Sequence, residues 1–203
     1  MGGGRFITLE GGEGNGKSTQ ARLLSDALRA QGHEVVLTRE PGGTSGAEAI
    51  RGLLVTGDDQ RWTAWSEALL MTAARVDHAH RVIRPALARG ATVICDRFFD
   101  STRAYQGAGR GLEDAALIDL HNEAVGLWPD VTLVLRLGIG EGLQRANTRG
   151  GLETRFESIG GPFHARVALF FFELPNMEPA RCKAIDAGGS IDEVAARIRD
   201  ALC

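Results

Sequence analysis

The stretch Gly11-Gly12-Glu13-Gly14-Asn15-Gly16-Lys17-Ser18 constrains this chain more than any other. It reads G-x-x-x-x-G-K-S, the pattern of a phosphate-binding loop. Ahead of it, Arg5-Phe6-Ile7-Thr8-Leu9 is a mostly apolar run of strand length. Behind it, Thr19 to Ala30 carries Ala21, Leu23, Leu24, Ala27 and Leu28 at helical spacing. Strand, loop and helix in that order are the context the motif needs. Glycines let the backbone curl so that several N–H groups point inward, and the helix N-terminus adds positive potential. Lys17 then reaches the outer phosphates, and Ser18 offers its hydroxyl to Mg²⁺.

The rest of the chain repeats the alternation. Val35-Val36-Leu37, Thr92 to Cys95, Val131 to Leu137 and Cys182 to Ile185 read as strands two to five. Helices are expected over Ala47–Leu54, Trp62–Ala88 with a kink or break at Pro85, Leu112–Leu127, from Glu141 towards Asn147, Phe163–Leu174 and Ile191–Leu202. Phe170-Phe171-Phe172 is expected to be mostly core. Strands alternating with helices predict an α/β fold, a parallel sheet with helices on both faces, with ligands at the carboxyl ends of the strands.

Bulk properties narrow the classes. With 203 residues, 43% of them apolar, the chain suits one domain with a small appendage. A net charge of −3 gives no overall basic surface for duplex nucleic acid. No apolar run approaches ~20 residues, so no membrane span is expected. The first residues are too few for a signal peptide. Cys95, Cys182 and Cys203 lack metal spacing and read as reduced thiols of a cytoplasmic protein.

Charged residues then collect at the strand ends. Asp96 closes an apolar strand, as the second Mg²⁺-associated carboxylate does in phosphate-loop proteins. Of 23 basic side chains only Lys17 and Lys183 are lysines. Arg39, Arg51, Arg75, Arg97, Arg145, Arg149 and Arg155 fall near the presumed crevice. Guanidinium forks orient phosphate oxygens bidentately and relieve the repulsion between two polyanions. An acceptor phosphate needs no strong general base, so positioning and charge neutralisation suffice. No Ser-His-Asp signature is present. His78 and His80 are expected to pack or face solvent, and His33, His121 and His164 show no ligand spacing.

These segments resemble thymidylate kinase over nearly the whole chain. The resemblance is carried by Glu10 to Thr19, Thr38-Arg39-Glu40-Pro41-Gly42-Gly43-Thr44, Ala73-Ala74-Arg75, Asp96-Arg97 through Tyr105-Gln106-Gly107, and Thr154-Arg155-Phe156-Glu157. It implies a P-loop NTPase fold of five parallel strands with a small lid at approximately 145–160. It implies transfer of the ATP γ-phosphoryl group to dTMP, giving dTDP for dTTP synthesis, with Mg²⁺, in a cytoplasmic homodimer formed through the long helices.

Carried over by position, Gly11, Gly12, Glu13, Gly14, Asn15, Gly16, Lys17, Ser18 and Thr19 would bind ATP. Ser18 and Asp96 would serve the metal. Glu40, Arg51, Met71, Arg75, Arg97, Thr102, Tyr105 and Gln106 would bind dTMP. Of these, Arg51 and Arg97 would hold the phosphate, and Arg75, Thr102 and Gln106 the base. Tyr105 would lie on the sugar, and Glu13 would help place sugar and metal. Gly14 stands where one branch of the family has a catalytic arginine, so the lid would supply it: Arg149 first, Arg155 second, Arg145 behind. Ala187-Gly188-Gly189-Ser190 would border the adenine. The sequence departs from the family's usual pattern at Met71, where a Phe is usual, and at Arg136 and Ile139, where an acidic residue and a Pro are. An extra residue stands around Glu153-Thr154.

Two other readings remain open: a kinase for a nucleoside or another nucleotide, and a nucleotide-dependent switch or regulatory ATPase. The arginine cluster favours the enzyme.

Overall fold

A computed structural model describes residues 4–138, 140–142, 155–156 and 158–202. Five strands form one parallel sheet: β1 Phe6–Glu10, β2 Val35–Arg39, β3 Thr92–Asp96, β4 Val131–Arg136 and β5 Cys182–Asp186. Their order is β2-β3-β1-β4-β5, which puts β1 in the middle. Leu9 pairs with Asp96, and Asp96 with Arg39, so the carboxyl ends of β1, β3 and β2 lie side by side. That edge is where the phosphate loop leaves β1.

Alternation along each strand supplies both faces. Phe6, Val93 and Cys95 face one core, and Ile7, Leu9, Ile94, Leu133 and Leu135 the other. On the second face pack α1 (Lys17–Ala30), through Ala21 and Leu24, and α8 (Ile191–Leu202), through Val194 and Ile198. On the first lie α3 (Ala64–His78), α4 (Arg84–Ala88) and α6 (Asp114–Ala124), through Ala68, Ala86 and Leu117. Helix α2 (Ser45–Val55) starts at Thr44, whose hydroxyl accepts from Ala47 N. Helix α7 (Gly161–Met177) closes a third cluster with Val134, Phe163, Phe171 and Leu174.

Three expectations change. Pro85 does not break the long helix. The backbone stays helical through Ile83 and Arg84 into α4, and the turn before Pro85, Ala79–Ile83, widens into a π-helix. A wider turn relieves the clash between the ring and the carbonyl four residues back. Of the three consecutive phenylalanines, Phe171 is core, whereas Phe172 is 53% exposed. Residues Phe99–Gly109, for which no element is expected, are helical: α5 (Phe99–Thr102) runs into a seven-residue π-helix, Arg103–Gly109. Among the described residues no helix is long and apolar enough to cross a membrane. The expected lid, Asn147, Ile139 and Cys203 fall wholly or mostly outside the described residues.

Candidate active site

The phosphate loop curls as its glycines require. Gly14 and Gly16 have φ of +72° and +81°, a region that penalises any side chain. A Cβ on Gly14 would come within 1.9 Å of the Gly142 carbonyl oxygen. Asn15 pins the loop by donating from Nδ2 to the Leu135 carbonyl at 2.7 Å. Lys17, in the first turn of α1, donates from Nζ to the Gly12 carbonyl at 2.6 Å. Its burial, and secondarily the Arg97 charge, lower its pKa to about 8, against the pull of Glu13, Asp96 and Glu10. The Ser18 hydroxyl donates to Asp96 Oδ2, so the two groups expected to serve the metal are in contact.

From this loop a cavity of about 460 Å³ runs across the edges of β3 and β2 to α3 and the π-helix. Glu13 to Ser18, Arg39, Glu40, Arg51, Met71, Arg75, Asp96, Arg97, Thr102, Tyr105 and Gln106 all line it. Of the expected loop residues, Gly11, Gly12 and Thr19 do not. Gly11 lies under the loop, where its carbonyl accepts from Arg97 Nη1 at 3.0 Å.

Arg97 is the hinge between the two ends. It leaves β3 with φ +67°, an unusual conformation for a residue with a side chain. Its N–H donates to the Leu9 carbonyl at 3.0 Å. Its guanidinium also donates to Ser101 Oγ at 3.0 Å, Glu13 Oε1 at 3.0 Å and Tyr105 Oη at 3.1 Å. Tyr105 donates to the same Glu13 oxygen at 2.6 Å. Although burial opposes it, the Arg97 and Lys17 charges with this hydroxyl hold Glu13 down at about 2.

At the inner end, Arg75 is buried. Nε donates to Glu40 Oε2 at 2.7 Å, and Nη2 to Thr102 Oγ1 at 3.0 Å. Its plane lies over Phe98, 5.2 Å from the ring centre. His78 donates from Nδ1 to the other Glu40 oxygen at 2.9 Å and meets Thr38 Oγ1 at 2.7 Å. The sequence gives His78 no such task, yet it stands one helical turn after Arg75, a spacing that could have flagged it. Arg51 donates to the Pro41 carbonyl at 2.8 Å. Segment 187–190 follows β5 at the same sheet edge, and the residue after it, Ile191 at the start of α8, accepts at its carbonyl from Gln20 of α1 at 2.9 Å.

Two residues matter that the sequence reading passes over. Glu10 ends β1 and accepts from Phe98 N, Ser101 N and Ser101 Oγ, fixing the turn after Arg97. Glu67 is fully buried beneath Gln106 and accepts from its Nε2 at 3.0 Å. Residues 67, 71 and 75 form one stripe of α3, a four-residue spacing visible in the sequence.

Arg155 requires a correction. As second candidate for the catalytic arginine it is expected in the cavity, but it is 1% exposed and does not line it. Its guanidinium is taken up by the Leu54, Asp58 and Asp59 carbonyls and by Glu67, which turns it inward. Arg149 and Arg145 lie outside the described residues.

A family model described as thymidylate kinase matches residues 9–198. A thymidylate kinase of Caulobacter vibrioides is 57% identical over 201 residues, 98% of this chain and 96% of that one. One of Rhizorhabdus wittichii is 53% identical, covering 98% and 97%. The crystal structure of thymidylate kinase from Ehrlichia chaffeensis superposes with a TM-score of 0.80 at 34% identity, covering 99% of both chains. The strand–loop–helix start, the sheet order and this near-complete coverage agree: the chain belongs to the thymidylate kinase family, which phosphorylates dTMP to dTDP using ATP.

Proposed function

We propose that this enzyme holds ATP on the phosphate loop and dTMP at the inner end of the cavity, with the two phosphate ends meeting between Lys17 and Arg97. One observation carries the placement of dTMP. Arg75 and Gln106 both line the cavity, and each keeps one buried polar atom without a partner: Arg75 Nη1, a donor, and Gln106 Oε1, an acceptor. Thymine offers the complement, an acceptor at O4 and a donor at N3. Leaving both atoms unmatched costs about 1–3 kcal/mol each, which a bound base would relieve.

The other roles follow from position. Lys17 and the loop amides bind the donor phosphates, while Arg97 and Arg51 bind the acceptor phosphate. Met71 covers the ring, Tyr105 the sugar, and Thr102 and Glu40 set the Arg75 plane. Charge neutralisation is the main catalytic effect, since two polyanions repel strongly once water is excluded. Arg149 is our first choice for a further cation at the junction, followed by Arg145.

Ser18 and Asp96 present two hard oxygens in contact at the loop. Mg²⁺ takes one or two protein oxygens with phosphates and waters, so this donor set fits it. When bound, it neutralises charge on the donor phosphates. Segment 187–190 borders the adenine. A homodimer is supported by Leu53 on α2 and by Trp65, Leu69 and Val76 on α3, apolar side chains 39–54% exposed on two helices that pack together. The buried free thiols Cys95 and Cys182 suit the cytoplasm.

The deciding experiment is a coupled assay with dTMP, thymidine, dUMP and dCMP as acceptors. We expect dTMP to be used best and ATP turnover to require an acceptor. Activity on thymidine with none on dTMP would reject the reading, and turnover indifferent to any acceptor would point to a switch or regulatory ATPase.

A further inference from the structure

Beneath the inner end of the cavity a second cluster contains a carboxylate that does not line it. Glu67 stands in the first turn of α3 with its side chain fully buried. Oε2 accepts from Gln106 Nε2 at 3.0 Å. Oε1 accepts from Arg110 Nη2 at 2.8 Å and from Arg155 Nη2. Both arginines are themselves anchored. Arg110 donates to the Asp59 carbonyl at 2.9 Å, and Arg155 to those of Leu54, Asp58 and Asp59 at 3.1, 2.8 and 3.2 Å. Glu67 is therefore held by Gln106 of the π-helix, by Arg110 just after it and by Arg155, and the two arginines are fixed in turn by carbonyls of the segment joining α2 to α3.

A side-chain amide has a donor end and an acceptor end, whereas a carboxylate only accepts. Facing Glu67, Gln106 must present its amine. Its Oε1 is then left for the cavity, where it is buried and unpartnered. Turned over, the amide would set an oxygen against Glu67 Oε2 in a site sealed from water, and the arrangement would be repulsive. Gln106 cannot choose its orientation to suit the base; Glu67 has already chosen it.

We propose that Glu67 is a positioning residue that sets base specificity: by fixing the Gln106 amide it makes the cavity accept from N3 and so selects thymine over cytosine. The proposal rests on the reading of the inner cavity as the base site. Cytosine has an amine at position 4 and a lone pair at N3, so it would meet Arg75 donor to donor and Gln106 acceptor to acceptor. Sites built to pair a polar group reject an analogue that leaves it unpaired far more strongly than sites that sense only shape. Without the Glu67 constraint the Gln106 amide can turn, removing one of the two mismatches and leaving the Arg75 one.

The test compares phosphorylation of dTMP and of 5-methyl-dCMP, which keeps the ring and methyl group but reverses the donor and acceptor. With its oxygen kept on Arg110 and Arg155, an amide at position 67 turns its amine to Gln106, which must then offer its oxygen there and its own amine to the cavity. Glu67→Gln is expected to lower the dTMP preference roughly 10- to 100-fold, mainly by lowering the KM for 5-methyl-dCMP. In a Gln106→Leu background, which has no amide to orient, the same substitution should leave the preference unmoved. Parallel losses on both acceptors with the preference unchanged would overturn the proposal, as would an equal shift in the Gln106→Leu background. If Glu67→Gln does not fold, Glu67→Asp keeps the charge that Arg110 and Arg155 need and, one methylene shorter, draws the carboxylate back from Gln106. It should shift the preference in the same direction by a smaller factor, and an unshifted preference again overturns the idea. A wild-type enzyme that ignores dTMP altogether would instead defeat the base-site reading, a separate result.

Discussion

Arg97 and Glu13 form an ion pair of 3.0 Å that joins the end of β3 to the phosphate loop, and Tyr105 closes it from the third side with a hydrogen bond to each partner. The donor end and the acceptor end of the cavity are thereby one mechanical unit. Arg97→Ala removes the cation proposed to face the acceptor phosphate and leaves Glu13 without its principal counter-charge. We expect kcat/KM for dTMP to fall about 100-fold or more, the scale of losing one charge-stabilising group, with the KM for ATP changed far less. Steady-state kinetics with each substrate varied in turn will read this, and an unaltered dTMP dependence would remove Arg97 from the acceptor site. Lys17→Ala acts at the other end and should abolish transfer.

Lys17 also predicts a pH effect on the donor. In the empty site its pKa is lowered to about 8. ATP phosphates favour the charged form and raise that pKa in the complex, so binding takes up protons near and above pH 8. ATP affinity should be level below pH 8 and should weaken above it, by up to about tenfold per pH unit. Calorimetry in two buffers of different ionisation enthalpy will show the proton uptake at pH 8.5. Buffer-independent heats would mean that Lys17 is already fully charged before ATP arrives.

Met71 lines the cavity on the same helical stripe as Arg75. A thioether can cover a ring face but fixes it less firmly than an aromatic ring does. Met71→Phe should therefore tighten dTMP binding by about 0.5–1.5 kcal/mol, the worth of an aromatic pair, with kcat little changed. The KM for dTMP and its Kd by titration give the answer, and weaker binding would show that the site has no room for the larger ring.

How much of this was legible in the sequence depends on whether a residue's partners are near it in the chain. The five strands announced themselves as apolar runs, and the phosphate loop fixed which strand leads the fold. The order β2-β3-β1-β4-β5 and the register that sets Asp96 beside Leu9 and Arg39 are long-range facts no local pattern carries. Residues Phe99–Gly109 look unlike a helix because many of their side chains are polar, and several of these are satisfied far away: Arg103 by Glu178 and Asp114, Asp100 by Arg181, Gln106 by Glu67. Arg155 shows the limit most clearly. Its place in a motif named it as a cation near the reaction, but the carbonyls at positions 54, 58 and 59 that turn it inward leave no trace in composition or spacing.

Glu10 supplies the last prediction. Burial first, and the Asp100 charge second, push its carboxyl up from 4.5 to about 7, against Arg97 and the bonds from Ser101 and Phe98. The unfolded chain releases this proton near 4.5 and the folded one not until about 7, so between those values the folded state binds more protons. The stability Glu10 contributes is fully present below pH 4.5 and is lost as pH rises through 7. Glu13, held at about 2, contributes stability that is complete above 4.5 and is lost only as pH falls through 2, so it is silent in this window. His121, lowered to about 4 by burial, runs the other way: its stability grows as pH rises from 4 to 6.5. The useful quantity is therefore the difference between wild type and Glu10→Gln, in which His121 cancels. The substituted amide keeps an acceptor for the Phe98 and Ser101 N–H groups and cannot titrate. In urea unfolding at pH 4.5 to 8, wild type minus variant should fall with rising pH, at most about 1.4 kcal/mol per unit, and flatten above 7. A difference that stays constant across the whole range would show that Glu10 is ionised throughout, and that the turn behind Arg97 rests on a charged carboxylate.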